Sequence, residues 1–293
     1  MVKIKILIPV FNDWKSVFKL LENIDKEFDT NNSKINHLSV IIINDASTEE
    51  KPAIIYNFKN LESIHILNMK KNRGHARCNA TGLKYVSAKE EFDYVIPMDG
   101  DGEDRPEELS LFINKIKDYP DKVITANRIK RSEGLIFRFC YLIHKYLTLV
   151  FTGQLIRYGN YTCLPKFALN QMLNEKATWS SFSGSVAKLF KHIKSIPSIR
   201  GNRYFGPSKM SFLNLLKHSF SIIAVFKKTF LVRSVFFLLS YLFLIFDKIS
   251  IITLIPVAGV MMMMISVITL SKRENISEFN NSLDNIEKID IIK

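Results

Sequence analysis

Cysteine is scarce in this 293-residue chain, and Cys78, Cys140 and Cys163 lie far apart, without disulfide or metal spacing. That excludes a small disulfide-stapled domain and fits reduced, buried thiols in a cytosolic compartment. The histidines show no metal spacing either, and Met261–Met264 suit packing or lipid contact better than a metal site. Acids are outnumbered, 28 against 41 Lys and Arg, leaving a net charge of +13 and an isoelectric point of about 9.5. An anionic partner follows: a membrane surface, a phosphorylated substrate or nucleic acid. No recognition motif is present and the bases cluster beside apolar segments, which argues for no nucleic acid. Internal repeats are absent. The opening MVKIKILIPVF has a short apolar stretch without cleavage-type small residues, so a strand is expected there rather than a signal peptide.

What is present first is an alternation of short apolar runs with helical patterns. Strands are expected at Ile4–Val10, Leu38–Ile43, Ile64–Leu67, Tyr94–Met98 and Val123–Ala126. Helices are expected at Trp14–Phe28, Ile54–Leu61, from Asn72 to about Ser87, and at Leu109–Lys117. This alternation predicts an α/β domain with a mostly parallel sheet, whose ligands bind beyond the carboxyl ends of the strands. Three polar clusters sit at such ends: Asn12-Asp13, Asp45–Ser47 and Asp99–Asp104.

The third cluster, within MDGDGEDRPEEL, organises the rest. Asp99, Asp101 and Glu103 stand two apart after a buried strand, as ligands of a hard cation on an extended segment would, and Asp104 follows. A solvated acidic loop is the simpler alternative. Oxygen ligands suit Mg²⁺ or Mn²⁺, and Mg²⁺ is usually held by one or two carboxylates plus substrate phosphates. Gly100 and Gly102 permit close approach. Pro106 with Glu107 and Glu108 marks a helix start.

Beyond Lys130 the pattern changes. Phe137–Phe151 suits either a packed amphipathic helix or one lying in a membrane interface. Tyr158–Lys209 holds one carboxylate, Glu175, among many bases, and Phe212–Phe226 is amphipathic with basic edges. Phe230–Phe246 is apolar except for Arg233, which can snorkel to headgroups, and Ile249–Leu270 is uncharged. The expected organisation is a cytoplasmic domain over 1–211, a juxtamembrane helix over 212–229, two transmembrane helices over 230–270 and a polar tail over 271–293. Basic flanks place both termini on the cytoplasmic side of the plasma membrane.

Several short motifs together, in order and spacing, resemble family 2 glycosyltransferases of the GT-A fold, and within them the membrane-anchored polyprenyl-phosphate (dolichol-phosphate type) glycosyltransferases. They are Ile8-Pro9-Val10-Phe11-Asn12, Asn44-Asp45-Ala46-Ser47, Asn72-Arg73-Gly74, Met98-Asp99-Gly100-Asp101 with Pro106-Glu107, Asn127-Arg128, and Arg203–Lys209. The resemblance covers about residues 4–270. It implies an inverting transferase using a nucleotide-sugar donor, a polyprenyl-phosphate acceptor and Mg²⁺ or Mn²⁺. Pro9 and Asn12 would shape the pocket for base and ribose, Asp45 would bond the base with Ser47 nearby, and Asp99 would contact the ribose and help place the metal. Asp101 would be the main metal ligand. Glu103 falls where relatives often have glutamine as a further ligand. Arg128 and Arg131 would face the phosphates, and Arg203, Ser208 and Lys209 would hold the acceptor phosphate.

The chemistry supports this version independently. A cation bridging the leaving diphosphate stabilises its developing charge. An acceptor phosphate is largely dianionic at neutral pH and needs shielding by Arg and Lys, whereas a hydroxyl acceptor favours a carboxylate base. The base-rich Tyr158–Lys209 stretch suits the phosphate, although simple attraction to anionic lipid also accounts for its charge. The Gln-x-x-Arg-Trp signature of processive synthases is absent. Two alternatives stay open: transfer to a hydroxyl of a lipid-linked glycan or surface polysaccharide, and a non-catalytic membrane protein with a degenerate transferase domain. Asp45 fits uracil without excluding other bases, and a homo-oligomer is left open.

Overall fold

The computed structural model describes residues 2–28, 37–52, 57–130, 135–207 and 212–293. One mixed eight-stranded sheet, in the order β7-β5-β6-β4-β1-β2-β3-β8, carries helices on both faces. Its parallel centre is β1 (Lys3–Val10), β2 (His37–Asn44), β3 (Ser63–Met69) and β4 (Tyr94–Pro97). These strands are mostly apolar because both sheet faces are covered. In β1 the side chains alternate: Ile4, Ile6, Ile8 and Val10 pack with α1 (Trp14–Glu27) and α3 (Leu109–Asp118), while Leu7 packs on the face of α2 (His75–Lys89). Lys5 shares that second face and is buried there against Glu90 at 2.8 Å.

The five expected strands are present, β5 running Ile124–Lys130. Three more escaped the sequence reading. β6 (Thr162–Pro165) is antiparallel to β4 and β5, β7 (Lys194–Ile199) is parallel to β5, and β8 (Ile286–Ile291) is antiparallel to β3. The last belongs to the segment expected as a polar tail with room for a short helix, which forms the helix α10 (Ile276–Asn280) and, unexpectedly, an edge strand. The helix expected over Ile54–Leu61 falls partly on 53–56, outside the described residues, and 57–61 are irregular. The reason is visible at Asp25, whose carboxylate accepts the amides of Lys59, Asn60 and Leu61 at 2.7–3.0 Å, taking donors a helix would need.

Between β5 and β6 runs α4 (Leu135–Thr152), and after β6 come α5 (Lys166–Leu173) and α6 (Phe182–Leu189). Three further helices follow β7: α7 (Phe212–Ala224), α8 (Lys227–Leu244) and α9 (Ile251–Ser271). Phe151, Ile223, Phe230, Val260 and Val267 form a small separate core among them. Arg233, expected to reach outward, donates instead to the carbonyls of Val150 (2.8 Å) and Leu149 (3.4 Å) at the end of α4. A guanidinium there satisfies carbonyls that the helix end leaves open. Among the described residues, α9 is the one helix long and apolar enough to cross a membrane by length and composition. The charges of Lys227, Lys228 and Arg233 keep α8 below that standard, so the two-helix hairpin is not carried by composition alone.

Candidate active site

The carboxyl ends of β1, β2 and β4 converge, and the three polar clusters meet there. At the end of β1, Asn12 has a φ of +52°, and at the end of β2, Ala46 has a φ of +56°. Asparagine tolerates this left-handed region, while for alanine it costs about 1 kcal/mol or more, a strain that the surrounding hydrogen bonds hold in place. Asn12 knits the two ends together: its amide donates to Ser47 Oγ at 2.9 Å, and its side-chain oxygen accepts from the amides of Thr48 (2.8 Å) and Glu49 (3.1 Å). Ser47 is thus a structural partner of Asn12. Pro9 lies in β1 beside Ile43, with its carbonyl against Gly100.

Asp45 is buried. Its carboxylate oxygens accept from the backbone amides of Arg73 and Gly74, both at 2.8 Å. Burial raises its pKa, and the two backbone hydrogen bonds act in the opposite direction. The Asn72-Arg73-Gly74 loop therefore orients Asp45, a link between two motifs that sequence spacing alone does not reveal.

The acidic loop is a tight turn, not the extended segment expected. Asp104 folds back so that its Oδ2 accepts the Asp99 amide at 2.9 Å. It is nearly fully buried, and burial followed by the charge of Asp99 pushes its pKa up to about 7. Arg128, expected at phosphates, has Nη2 3.5 Å from Asp104 Oδ1. Burial and then Asp99 raise Asp101 to about 6, with Arg203 pulling the other way. Asp101 Oδ1 accepts the Glu103 amide at 3.0 Å. Asp99 Oδ1 is buried without a hydrogen bond, with His75 Nε2 3.4 Å away.

A basic segment after β7 closes over this turn. Arg203 donates to Asp101 Oδ2 at 2.6 Å and to Asp13 Oδ2 at 2.5 Å, and Arg200 pairs with Glu103. The amide of Gly201 donates to the Glu103 carbonyl (2.8 Å) and that of Tyr204 to the Asp101 carbonyl (2.9 Å). Gly102, at φ +90°, lies under the Tyr204 ring, where a Cβ would come within 2.6 Å of it. Arg203 was expected to meet an acceptor phosphate. It lies on Asp13 and Asp101, beside four acids within one turn that demand a nearby positive charge. Arg131, Ser208 and Lys209, assigned to phosphates with it, lie outside the described residues.

The residues fit a divalent cation of one kind. Among the described residues no three His, Cys, Asp or Glu side chains converge as a closed metal cage, and Glu103 is engaged by Arg200. Asp99 keeps an unbonded oxygen, whereas Asp101 is engaged by Arg203 and the Glu103 amide and would have to exchange Arg203 for a cation. Two carboxylates suit a cation whose other ligands come from substrate phosphates. The sequence reading placed Asp13 and Asp104 in polar clusters but gave neither a role. The signal for Asp13 was its place at a strand end, and for Asp104 its place within the acidic run, but neither reveals the partner.

Known proteins arrive at the same framework. The profile of Glycosyl transferase family 2 matches residues 5–179. The undecaprenyl-phosphate 4-deoxy-4-formamido-L-arabinose transferase of Klebsiella pneumoniae strain 342 is 25% identical over 236 residues, which is 78% of this chain and 68% of that protein. Glucosyl-3-phosphoglycerate synthase from Mycobacterium tuberculosis, solved with Mn²⁺, uridine diphosphate and glucosyl-3-phosphoglycerate, superposes with a TM-score of 0.54 at 12% identity, covering 78% of this chain and 80% of that one. Mannosyl-3-phosphoglycerate synthase from Rubrobacter xylanophilus gives a TM-score of 0.55 at 12% identity, covering 78% and 73%. These structures share the GT-A α/β fold.

Proposed function

The chain belongs to glycosyl transferase family 2, and from that premise we propose that it moves one sugar from a nucleotide sugar to a polyprenyl phosphate, with inversion, at the cytoplasmic face of a membrane. The observation that carries the choice of acceptor is the state of Glu175. It is the one carboxylate between Tyr158 and Lys209, and it is taken by Lys188 (2.9 Å) and by the amide of Ala177 (3.1 Å). That stretch therefore offers a hydroxyl acceptor no carboxylate outside a salt bridge, and a phosphate acceptor needs no such base. The similarity to an undecaprenyl-phosphate transferase points the same way.

In this reading the donor diphosphate lies over Asp99 and Asp101, and Asp45 faces the base. Asp99 and Asp101 would hold Mg²⁺ or Mn²⁺, which supplies charge stabilisation for the departing diphosphate. Arg203 neutralises Asp13 and Asp101 and stands ready to accompany the anions when they arrive. Arg128 and Arg131 would serve the phosphates, with Ser208 and Lys209 toward the acceptor. The apolar side chains of α8 and α9 that face outward, such as Phe236, Phe243, Ile251 and Ile252, suit a bilayer and keep the site beside its lipid acceptor.

The test is a donor screen with purified protein, Mn²⁺ or Mg²⁺ and a short polyprenyl phosphate, the lipid product being weighed by mass spectrometry. Lipid phosphate plus one sugar, lost with EDTA, is the expected product. Donor binding without that product would move the acceptor to a hydroxyl. No donor binding at all would favour a degenerate domain.

A further inference from the structure

Residues 272–293 return from α9 to the main sheet and clamp the loop that orients Asp45. At one end of that loop the Lys70 amide donates to the Asn285 carbonyl (2.7 Å), and Asn285 Nδ2 donates to the Lys71 carbonyl (3.1 Å). At the other end Glu278 collects three groups. Its Oε1 takes Arg73 Nη1 at 3.1 Å, and its Oε2 takes Arg77 Nη2 at 3.2 Å and Trp179 Nε1 at 2.9 Å. Phe279, buried, stacks on the buried Trp179 ring with centroids 5.5 Å apart, and the Arg77 guanidinium lies 5.3 Å from the centre of the same ring. α10 is itself capped, the Asn275 side chain accepting the Glu278 amide at 3.0 Å.

The clamp matters because of what Arg73 does with its backbone. Its amide and that of Gly74 are the two donors to the Asp45 carboxylate. Gly74 also starts α2 with a φ of +85°, so the loop turns sharply at this point. A short loop held at 70–71 and at 73 has little freedom to rotate these two amides away. We propose that Glu278 is a positioning residue for nucleotide recognition: by holding Arg73 and Arg77 it fixes the Arg73 and Gly74 amides, and through them the direction in which Asp45 presents its carboxylate to a nucleotide. The segment that follows the apolar helices is thereby part of the donor site, which the sequence reading treated as a tail without chemistry. This rests on the donor role of Asp45 in the proposed function.

The experiment uses the full-length protein and the near-isosteric Glu278→Gln variant. Two readouts separate the steps. Hydrogen exchange of the Arg73 and Gly74 amides needs no ligand and is expected to quicken in the variant. Calorimetric titration with uridine diphosphate, and with guanosine diphosphate, each with Mn²⁺, is expected to show binding weakened about threefold to tenfold, with kcat at saturating donor unchanged. Trp179→Phe, which keeps the stack on Phe279 and removes one donor to Glu278, should move both readouts the same way by less. Glu287→Gln, an exposed position of the same segment outside the clamp, should move neither. Unchanged exchange at 73–74 in Glu278→Gln would overturn the proposal, and so would quickened exchange with unchanged nucleotide affinity. If the wild-type protein binds no nucleotide, the donor reading itself fails, and exchange alone then decides whether Glu278 fixes the Asp45 loop.

Discussion

Replacing Arg203 by methionine probes the electrostatics of the acidic turn directly. The guanidinium bridges Asp13 and Asp101 with its own side chain 13% exposed, against 20% and 19% for its partners. Removing one partner of a buried ion pair costs about 3–5 kcal/mol, and the residual exposure here points to the lower end, about 3 kcal/mol at pH 7.5. In a domain of this size that corresponds to a loss of roughly 6–12 °C in the unfolding midpoint. The sign of the pH dependence follows from Asp101. Its folded pKa already stands near 6, above the ordinary 3.8, and the Glu103 amide and then Arg203 restrain it. A carboxyl raised by folding makes stability fall as pH rises from its unfolded to its folded value. With a folded value near 6, Asp101 is already largely protonated at pH 5 with Arg203 present and more so without it, so its repulsion with Asp99 is absent from both proteins and the loss shrinks to about 1 kcal/mol. Millimolar Mn²⁺ should recover part of the loss at pH 7.5 by replacing the missing charge. Thermal unfolding in detergent at pH 5 and 7.5, with and without Mn²⁺, measures all three effects. An equal loss at both pH values with no recovery by Mn²⁺ would refute this account of the turn.

Other consequences are equally direct. Asp104→Asn keeps an oxygen for the Asp99 amide but removes a carboxyl raised to about 7. Its share of the fall in stability between about pH 4 and pH 7 should disappear from a series of unfolding midpoints, and an unaltered slope would contradict the assignment. Gly102→Ala adds a Cβ at φ +90° that meets the Tyr204 ring, for a cost of about 2–3 kcal/mol in denaturant unfolding. Asp101→Asn, which still accepts from Arg203, should keep the fold by circular dichroism and lower cation-dependent transfer by about a hundredfold or more. Turnover at the wild-type level would remove Asp101 from the cation site. Arg233→Met uncaps the last carbonyls of α4 and should quicken exchange near Gly153, with little effect at the acidic turn.

The amino-acid sequence by itself determined the parallel centre of the sheet, because strands buried on both faces must be mostly apolar, and β1 to β4 are, with Lys5, Ser39 and His65 as polar exceptions. It also determined the place of the site, since polar clusters directly after such strands fall at one edge of the sheet. β6, with four residues, and β7, interrupted by Pro197, carry too little periodicity to be read locally. β8, with Glu287, Lys288 and Asp290 among three isoleucines, is mostly exposed and too polar to be read as a buried strand, and its partner β3 lies more than two hundred residues away along the chain. Only the tertiary structure decided which charges meet. Arg203 lies on Asp13 and Asp101, Asp104 folds under Asp99, and Glu278 reaches Arg73, because a charge in a crowded, half-buried turn takes the nearest counter-charge in space, and sequence separation does not record that distance.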